Sequence, residues 1–204
     1  MRFDAEFYRQ YYVDPRTRVA SREDTERLGL FVCAYARYLG IQPRSVLDAG
    51  CGLGHMRRPV RRVFPKASYV GLETSDYLCR RHGWIQGTLE SFRPRGSFEL
   101  VICHDVLQYL DDRAAARAIG SLARLCAGAL YFSVLTTEDW RQAADQSRTD
   151  SGVHLRDADW YRRRLGRHFR PVGGGLLVRR GFRPLLWELE KPWPAPASRR
   201  LTQA

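Results

Sequence analysis

The spacing of apolar residues divides the chain into two regimes. From residue 7 to residue 39 they recur at helical intervals, Phe7 or Tyr8 with Tyr11 and Tyr12, then Leu28, Phe31, Val32, Tyr35 and Leu39. Pro15 should stop the first helix. Ser21 should cap the second, with Glu23 and Asp24 in its first turn, and Gly40 and Pro43 should end it. From Ser45 onward, short β-type runs alternate with helical stretches, the pattern of a parallel α/β sheet. Strands are expected at 46–49, 68–73, 84–86, 98–103 and 129–134. Helices are expected from about 54 to 64, from Ser75 to Gly83, and from Asp111 and Asp112 to Cys126. The unbroken apolar run at 98–103 suits a strand covered on both faces.

Beyond the fifth strand, the pattern predicts a segment capped by Thr137, a polar loop at 146–153 and a helix capped by Asp157. Residues 169–179 and 182–190 read as two last strands joined tightly at Arg180-Gly181, hence antiparallel. In this reading the glycines at 173–175 bend the first strand, and Pro184 sits near the start of the second. Residues 192–204, with three prolines, read as a flexible tail. The expected organisation is a helical cap or lid at 1–40, a main domain at 41–191 and that tail.

The joint between the first strand and the next helix holds Val46-Leu47-Asp48-Ala49-Gly50-Cys51-Gly52-Leu53-Gly54. Such a turn brings bare backbone N–H groups near a ligand, and the following helix adds the positive end of its dipole. A dinucleotide fingerprint would place its third glycine one residue later, where His55 stands. It would also not place Asp48, a negative charge, against a pyrophosphate. The nine residues match motif I of the class I S-adenosylmethionine-dependent methyltransferases, which this segment resembles. Five β/α units closed by an antiparallel hairpin agree with that family's layout. The resemblance implies a Rossmann-like α/β fold, a seven-stranded and mostly parallel sheet with one antiparallel strand, and an N-terminal helical cap.

It also implies site residues. Asp48, Gly50, Cys51, Gly52 and Gly54 would hold the methionine part of S-adenosyl-L-methionine, whose product is S-adenosyl-L-homocysteine. Glu73, at the end of the second strand and 19 residues past Gly54, would accept the ribose hydroxyls. Thr88 and Leu89 would meet the adenine, Thr88 standing where the family usually has an acidic residue. His104, Asp105 and Tyr109 fall in a segment that looks like motif IV in its small-molecule form, in which His104 and Asp105 would line the methionine end of the cofactor and its methyl group.

Methyl transfer needs an aligned nucleophile and, for a hydroxyl acceptor, a base. Histidine suits that task, and His104 and His154 both fall on the expected ligand side of the sheet. Tyr8, Tyr11 and Tyr12 of the first helix, Tyr109 and His154 are candidates to enclose the acceptor. The sequence has neither an Asn/Asp-Pro-Pro-Tyr/Phe loop nor a Pro-Cys pair, and no set of residues with metal-ligand spacing.

Composition narrows the setting. At 204 residues, 44% hydrophobic and 27% charged, the chain is expected to be one soluble globular unit. No apolar run approaches the ~20 residues of a membrane helix, and the first residues lack a signal-peptide core, so a cytoplasmic protein is expected. Five widely spaced cysteines indicate buried thiols rather than disulfides or a zinc site. The net charge is +12, carried almost wholly by scattered arginines that a coding bias would equally explain. The expected activity is methyl transfer to an oxygen or nitrogen of a small molecule. The alternatives are an RNA or protein methyltransferase that uses the arginines, or a pseudoenzyme that only binds the cofactor.

Overall fold

A computed structural model describes residues 3–191. The expected tail at 192–204 lies outside them. Along the chain the elements are α1 (Ala5–Tyr8, continued by a π-helical turn, Arg9–Val13), α2 (Arg22–Tyr38), β1 (Ser45–Ala49), α3 (Arg57–Val63), β2 (Ser68–Glu73), α4 (Asp76–His82), β3 (Ile85–Gln86), β4 (Phe98–His104), α5 (Asp112–Leu125), β5 (Cys126–Ser133), α6 (Thr137–Gln142), α7 (Ala158–Leu165), β6 (Phe169–Gly173) and β7 (Leu176–Arg179). The seven strands form one sheet in the order β3-β2-β1-β4-β5-β7-β6. The strands from β1 to β5 pair in parallel, and β7 runs antiparallel to both β5 and β6.

Strand periodicity sorts the core into two layers. Leu47 and Ala49 of β1, with Val101 and Cys103 of β4, pack toward α5 and α7 through Ile119, Leu122 and Leu165. Their alternates, Val46, Leu100 and Ile102, pack on the other face against Val32, Cys33, Ala36 and Leu39 of α2 and Val60 of α3. The second helix is therefore one of the layers that cover the sheet. Its start is a capping box: the Ser21 hydroxyl accepts from the Asp24 N–H, and the Ser21 N–H donates to the Asp24 carboxylate. Phe31, read as part of its inward stripe, is half exposed, and the buried stripe instead runs through Gly29, Val32, Cys33 and Ala36. Gly29 lets α3 approach, because a Cβ there would touch Pro59 and Met56 at 2.8–2.9 Å.

The C-terminal hairpin differs from the expected one. Residues 169–179 do not form one bent strand. They fold back on themselves at Gly174 and Gly175, whose φ angles are 55° and 76°. A side chain at Gly174 would meet Phe31, and one at Gly175 would meet Tyr131, so the turn is pressed against α2 and β5. Residues 182–190 form no strand; they end in a 3-10 turn at Glu188–Glu190, because β7 already has β5 and β6 on its two edges. Two smaller shifts also appear. Thr136, not Thr137, caps α6, again with a capping box to Asp139, and α3 starts at Arg57 rather than near Gly54.

Candidate active site

The carboxyl ends of β1, β2, β4 and β5 open into one cavity of about 990 Å³, roofed by α1 and its π-helical turn. Of the residues singled out from the sequence, it gathers Asp48, Gly50, Cys51, Gly52, Glu73, Thr88, Leu89, His104, Asp105, Tyr8, Tyr11, Tyr12 and Tyr109. Gly54 lies beyond this wall and lines a second, smaller cavity. His154 stands exposed and outside both, its N–H donating to the Gln108 carbonyl oxygen at 2.7 Å.

The three glycines of the turn do three different things. All have positive φ, between 51° and 77°. A Cβ on Gly50 would collide with Val106, and one on Gly54 would collide with the Trp84 indole. Only Gly52 faces open space, with the Tyr8 ring 3.9 Å from where a Cβ would sit. The bare N–H groups expected of the turn are engaged within the protein. Those of Gly50 and Cys51 donate to the Leu72 carbonyl, that of Gly54 to Cys51, and that of Gly52 to Glu73 Oε2 at 2.8 Å. The turn is thus folded onto β2, and what it offers a ligand is room rather than free donors.

Glu73, 5% exposed, is the hub of this end. Besides Gly52 it accepts from the N–H groups of Thr74 (2.7 Å) and Ser75 (2.9 Å) and from the Thr74 hydroxyl (3.2 Å). The Tyr8 hydroxyl donates to it as well, and burial followed by the charge of Glu73 holds the Tyr8 phenol far above its ordinary range. Asp48, 3% exposed, lies on the α2–α3 face of β1 and accepts a hydrogen bond from the Tyr69 hydroxyl. Burial pushes its carboxyl up to about 7, against the opposing pull of that hydrogen bond and with a smaller push from Glu73. A cationic group placed beside it would favour its ionised form.

At the other end β4 stops in a strained bend. Asp105 is the one non-glycine residue with positive φ (55°) among the described residues, and its N–H donates to the Ser133 carbonyl at 3.0 Å. His104 Nε2 lies 3.4 Å from the Asp105 carboxylate, while its Nδ1 is buried with no hydrogen-bond partner. The Gln108 side-chain oxygen is in the same state, on a residue 5% exposed. Both residues line the cavity, while these two atoms are buried within its wall.

Above this wall Phe3, Phe7, Tyr11, Tyr12 and Tyr109 form an aromatic cluster with centroids 5.0–6.2 Å apart. The Tyr12 hydroxyl is bonded to that of Tyr109, and burial raises the Tyr12 phenol well above its ordinary range. Thr88 is exposed at the rim and tied to Ser91, with Leu89 buried behind it.

Three residues that hold this geometry escaped the sequence reading. Trp84, read as part of β3, lies over Gly54 and Gly71 and donates from Nε1 to the Gly52 carbonyl at 3.0 Å. Tyr69, two residues before Gly71 on β2, reaches across to Asp48. Arg156 is 6% exposed, and its guanidinium donates to Asp112 (2.7 Å), Tyr161 (3.0 Å) and the carbonyls of Leu107, Leu110 and His154. It thereby staples the segment after β4 to the approach of α7. Nothing local marks it as buried in a chain so rich in arginine. Among the described residues no group of histidine, cysteine and carboxylate side chains is placed to hold a metal ion, and no helix is long and apolar enough to cross a membrane.

The sequence pattern of the methyltransferase domain family matches residues 6–179. The chain belongs to that family. Methyltransferases of this class draw the methyl group from S-adenosyl-L-methionine. The chain is 27% identical over 109 residues to a malonyl-[acyl-carrier protein] O-methyltransferase of Legionella pneumophila, a match covering 48% of the chain and 38% of that protein. It is 28% identical over 110 residues to a trans-aconitate 2-methyltransferase of Azoarcus sp. strain BH72, covering 50% of the chain and 39% of that protein. The chain thus matches about two fifths of the length of these curated relatives. Among solved structures, the magnesium protoporphyrin IX methyltransferase of Synechocystis PCC 6803 with bound S-adenosylhomocysteine superposes with a TM-score of 0.57 at 20% identity, over 76% of the chain and 83% of that structure. That likeness establishes the fold.

Proposed function

We propose that the chain transfers a methyl group from S-adenosyl-L-methionine to a small-molecule acceptor. The observation that carries this reading is the meeting of Asp48, the open face of Gly52 and buried Glu73 at one end of a cavity that also holds His104. These residues fit the cofactor. Asp48 would take its cationic methionine end, Gly52 leaves space for the chain beside it, and Glu73 would accept from ribose hydroxyls once the Tyr8 hydroxyl gives way. Thr88 and Leu89 would border the adenine. When bound, the cofactor supplies an electrophilic methyl carbon on a sulfonium.

The protein then has to position the acceptor and take its proton. His104 is the better placed of the two candidate histidines, since it lines the cavity while His154 does not. The Asp105 carboxylate lies 3.4 Å from His104 Nε2 and orients the ring. The aromatic cluster of the roof encloses an apolar acceptor body and excludes water. A small molecule suits a cavity covered by α1 better than an RNA strand does, and this is the ground for preferring it over the arginine-based alternative.

The test is calorimetric titration with S-adenosylhomocysteine against NAD, on the wild type and on Asp48→Ala and Glu73→Ala. Binding of the former alone, weakened by both substitutions, is the expected result. Binding that both substitutions leave untouched would remove these residues from the site.

A further inference from the structure

The cavity is charged opposite to the molecule as a whole. The chain carries a formal charge of +12, yet the described residues lining the cavity include no lysine or arginine. They include Glu90, Asp105, Asp139, Asp145 and Asp150 in addition to Asp48 and Glu73. Some of this charge is spent: Glu90 pairs with Arg117 at 2.7 Å, Asp145 with Arg148 at 3.6 Å, and Asp139 Oδ2 caps α6. Asp105 is different. Its ionic neighbour is His104, and a positive φ holds it at the end of β4.

A second, independent feature lies on the same walls. The roof presents the rings of Phe7, Tyr11, Tyr12 and Tyr109, whose faces attract a cation. Carboxylates and aromatic faces together attract a positively charged hydrogen-bond donor and repel an anion. A carboxylate acceptor would meet like charge with no arginine fork to receive it.

We infer that the acceptor is an amine borne on an aromatic or otherwise apolar body, recognised through Asp105 beneath the aromatic roof. The inference rests on the methyltransferase reading and names its acceptor class. The bound ammonium passes its proton to the imidazole of His104. The freed nitrogen lone pair then forms the N–C bond as the methyl carbon's bond to sulfur breaks, that electron pair remaining on sulfur.

The experiment compares two probes of the same shape and opposite charge. With the protein saturated by S-adenosylhomocysteine, calorimetry measures the affinity for tyramine and for 4-hydroxyphenylacetate. Tyramine is expected to bind about tenfold or more tighter. In Asp105→Asn, a substitution that suits the positive φ, the ratio is expected to fall to about threefold or less. Equal affinities, a preference for the carboxylate, or no tyramine binding at millimolar concentration would overturn the amine assignment while S-adenosylhomocysteine still binds. A protein that does not bind S-adenosylhomocysteine would overturn the methyltransferase reading and this inference with it.

Discussion

The two ends of the cavity are built in different ways. The end at β1 and β2 comes from residues 48–54 and 72–75, with its polar groups bonded among themselves: Gly50 and Cys51 to Leu72, Gly52, Thr74 and Ser75 to Glu73, and Tyr69 to Asp48. The opposite end is assembled from the first helix, the bend after β4 and the segment after β5. It keeps His104 Nδ1 and the Gln108 oxygen without partners. A pre-bonded end has one shape and suits one ligand. An end with unspent groups on separately tethered segments can change its ligand by changing side chains, without disturbing the first.

The largest expected test of this contrast is Glu73→Ala. It removes the acceptor shared by three N–H groups and should weaken S-adenosylhomocysteine by about 100-fold in calorimetry, each hydrogen bond to a charged group being worth roughly 1.5–3 kcal/mol. Acidity should act on the same end. Because Asp48 titrates near 7 in the ligand-free protein, S-adenosylhomocysteine affinity should fall by up to about tenfold per unit as the pH drops from about 7 to about 5. Stability of the empty protein should move the other way. A buried carboxyl whose folded value lies above its unfolded one binds its proton more tightly when folded, so its contribution is greatest below about pH 4 and is lost as the pH rises through about 7. Melting temperatures with and without S-adenosylhomocysteine across that range check both signs.

Gly54→Ala separates room for a ligand from room for a neighbour. It should destabilise the fold by about 2 kcal/mol in urea denaturation, through the collision with Trp84 and the positive φ. Arg156→Met addresses the other end. It should lower methyl-transfer kcat/KM by about tenfold by freeing the segment at 107–110, with S-adenosylhomocysteine affinity unchanged within about twofold. A parallel loss of cofactor affinity would merge the two ends into one unit. The smallest effect is expected for Tyr8→Phe. Removing a hydroxyl that competes for Glu73 should tighten S-adenosylhomocysteine by about threefold or less.

The sheet and the glycine turn were legible because their signals are local: β-type runs of a few residues, and one carboxylate and three glycines within seven positions. The residues that lock the turn were not. Tyr69 is 21 residues from Asp48, Trp84 is 32 from Gly52, and Arg156 is 44 to 49 from most of its partners, so no short-range spacing announces them. The hairpin was misplaced for a related reason. Three consecutive glycines satisfy both a bend and a turn, and only Phe31, Tyr35 and Tyr131 packed against them select the turn. The apolar residues at 182–190 were then left without β7 as a partner, since β5 and β6 take both its edges. His154 fell outside the cavity because the hydrogen bond to Gln108 and the Arg156 staple fix its backbone there, which its position between two elements does not reveal.

Trp84 gives the molecule a built-in optical reporter. Its indole N–H is tied to Gly52, its ring covers Gly54, and His82 stacks on it at 5.7 Å. A ligand that shifts the glycine turn alters the hydrogen bonding of that fluorophore directly. The emission of Trp84, isolated by replacing the other tryptophans with phenylalanine, should therefore follow occupancy at the cofactor end in real time and stay silent when only the acceptor end fills.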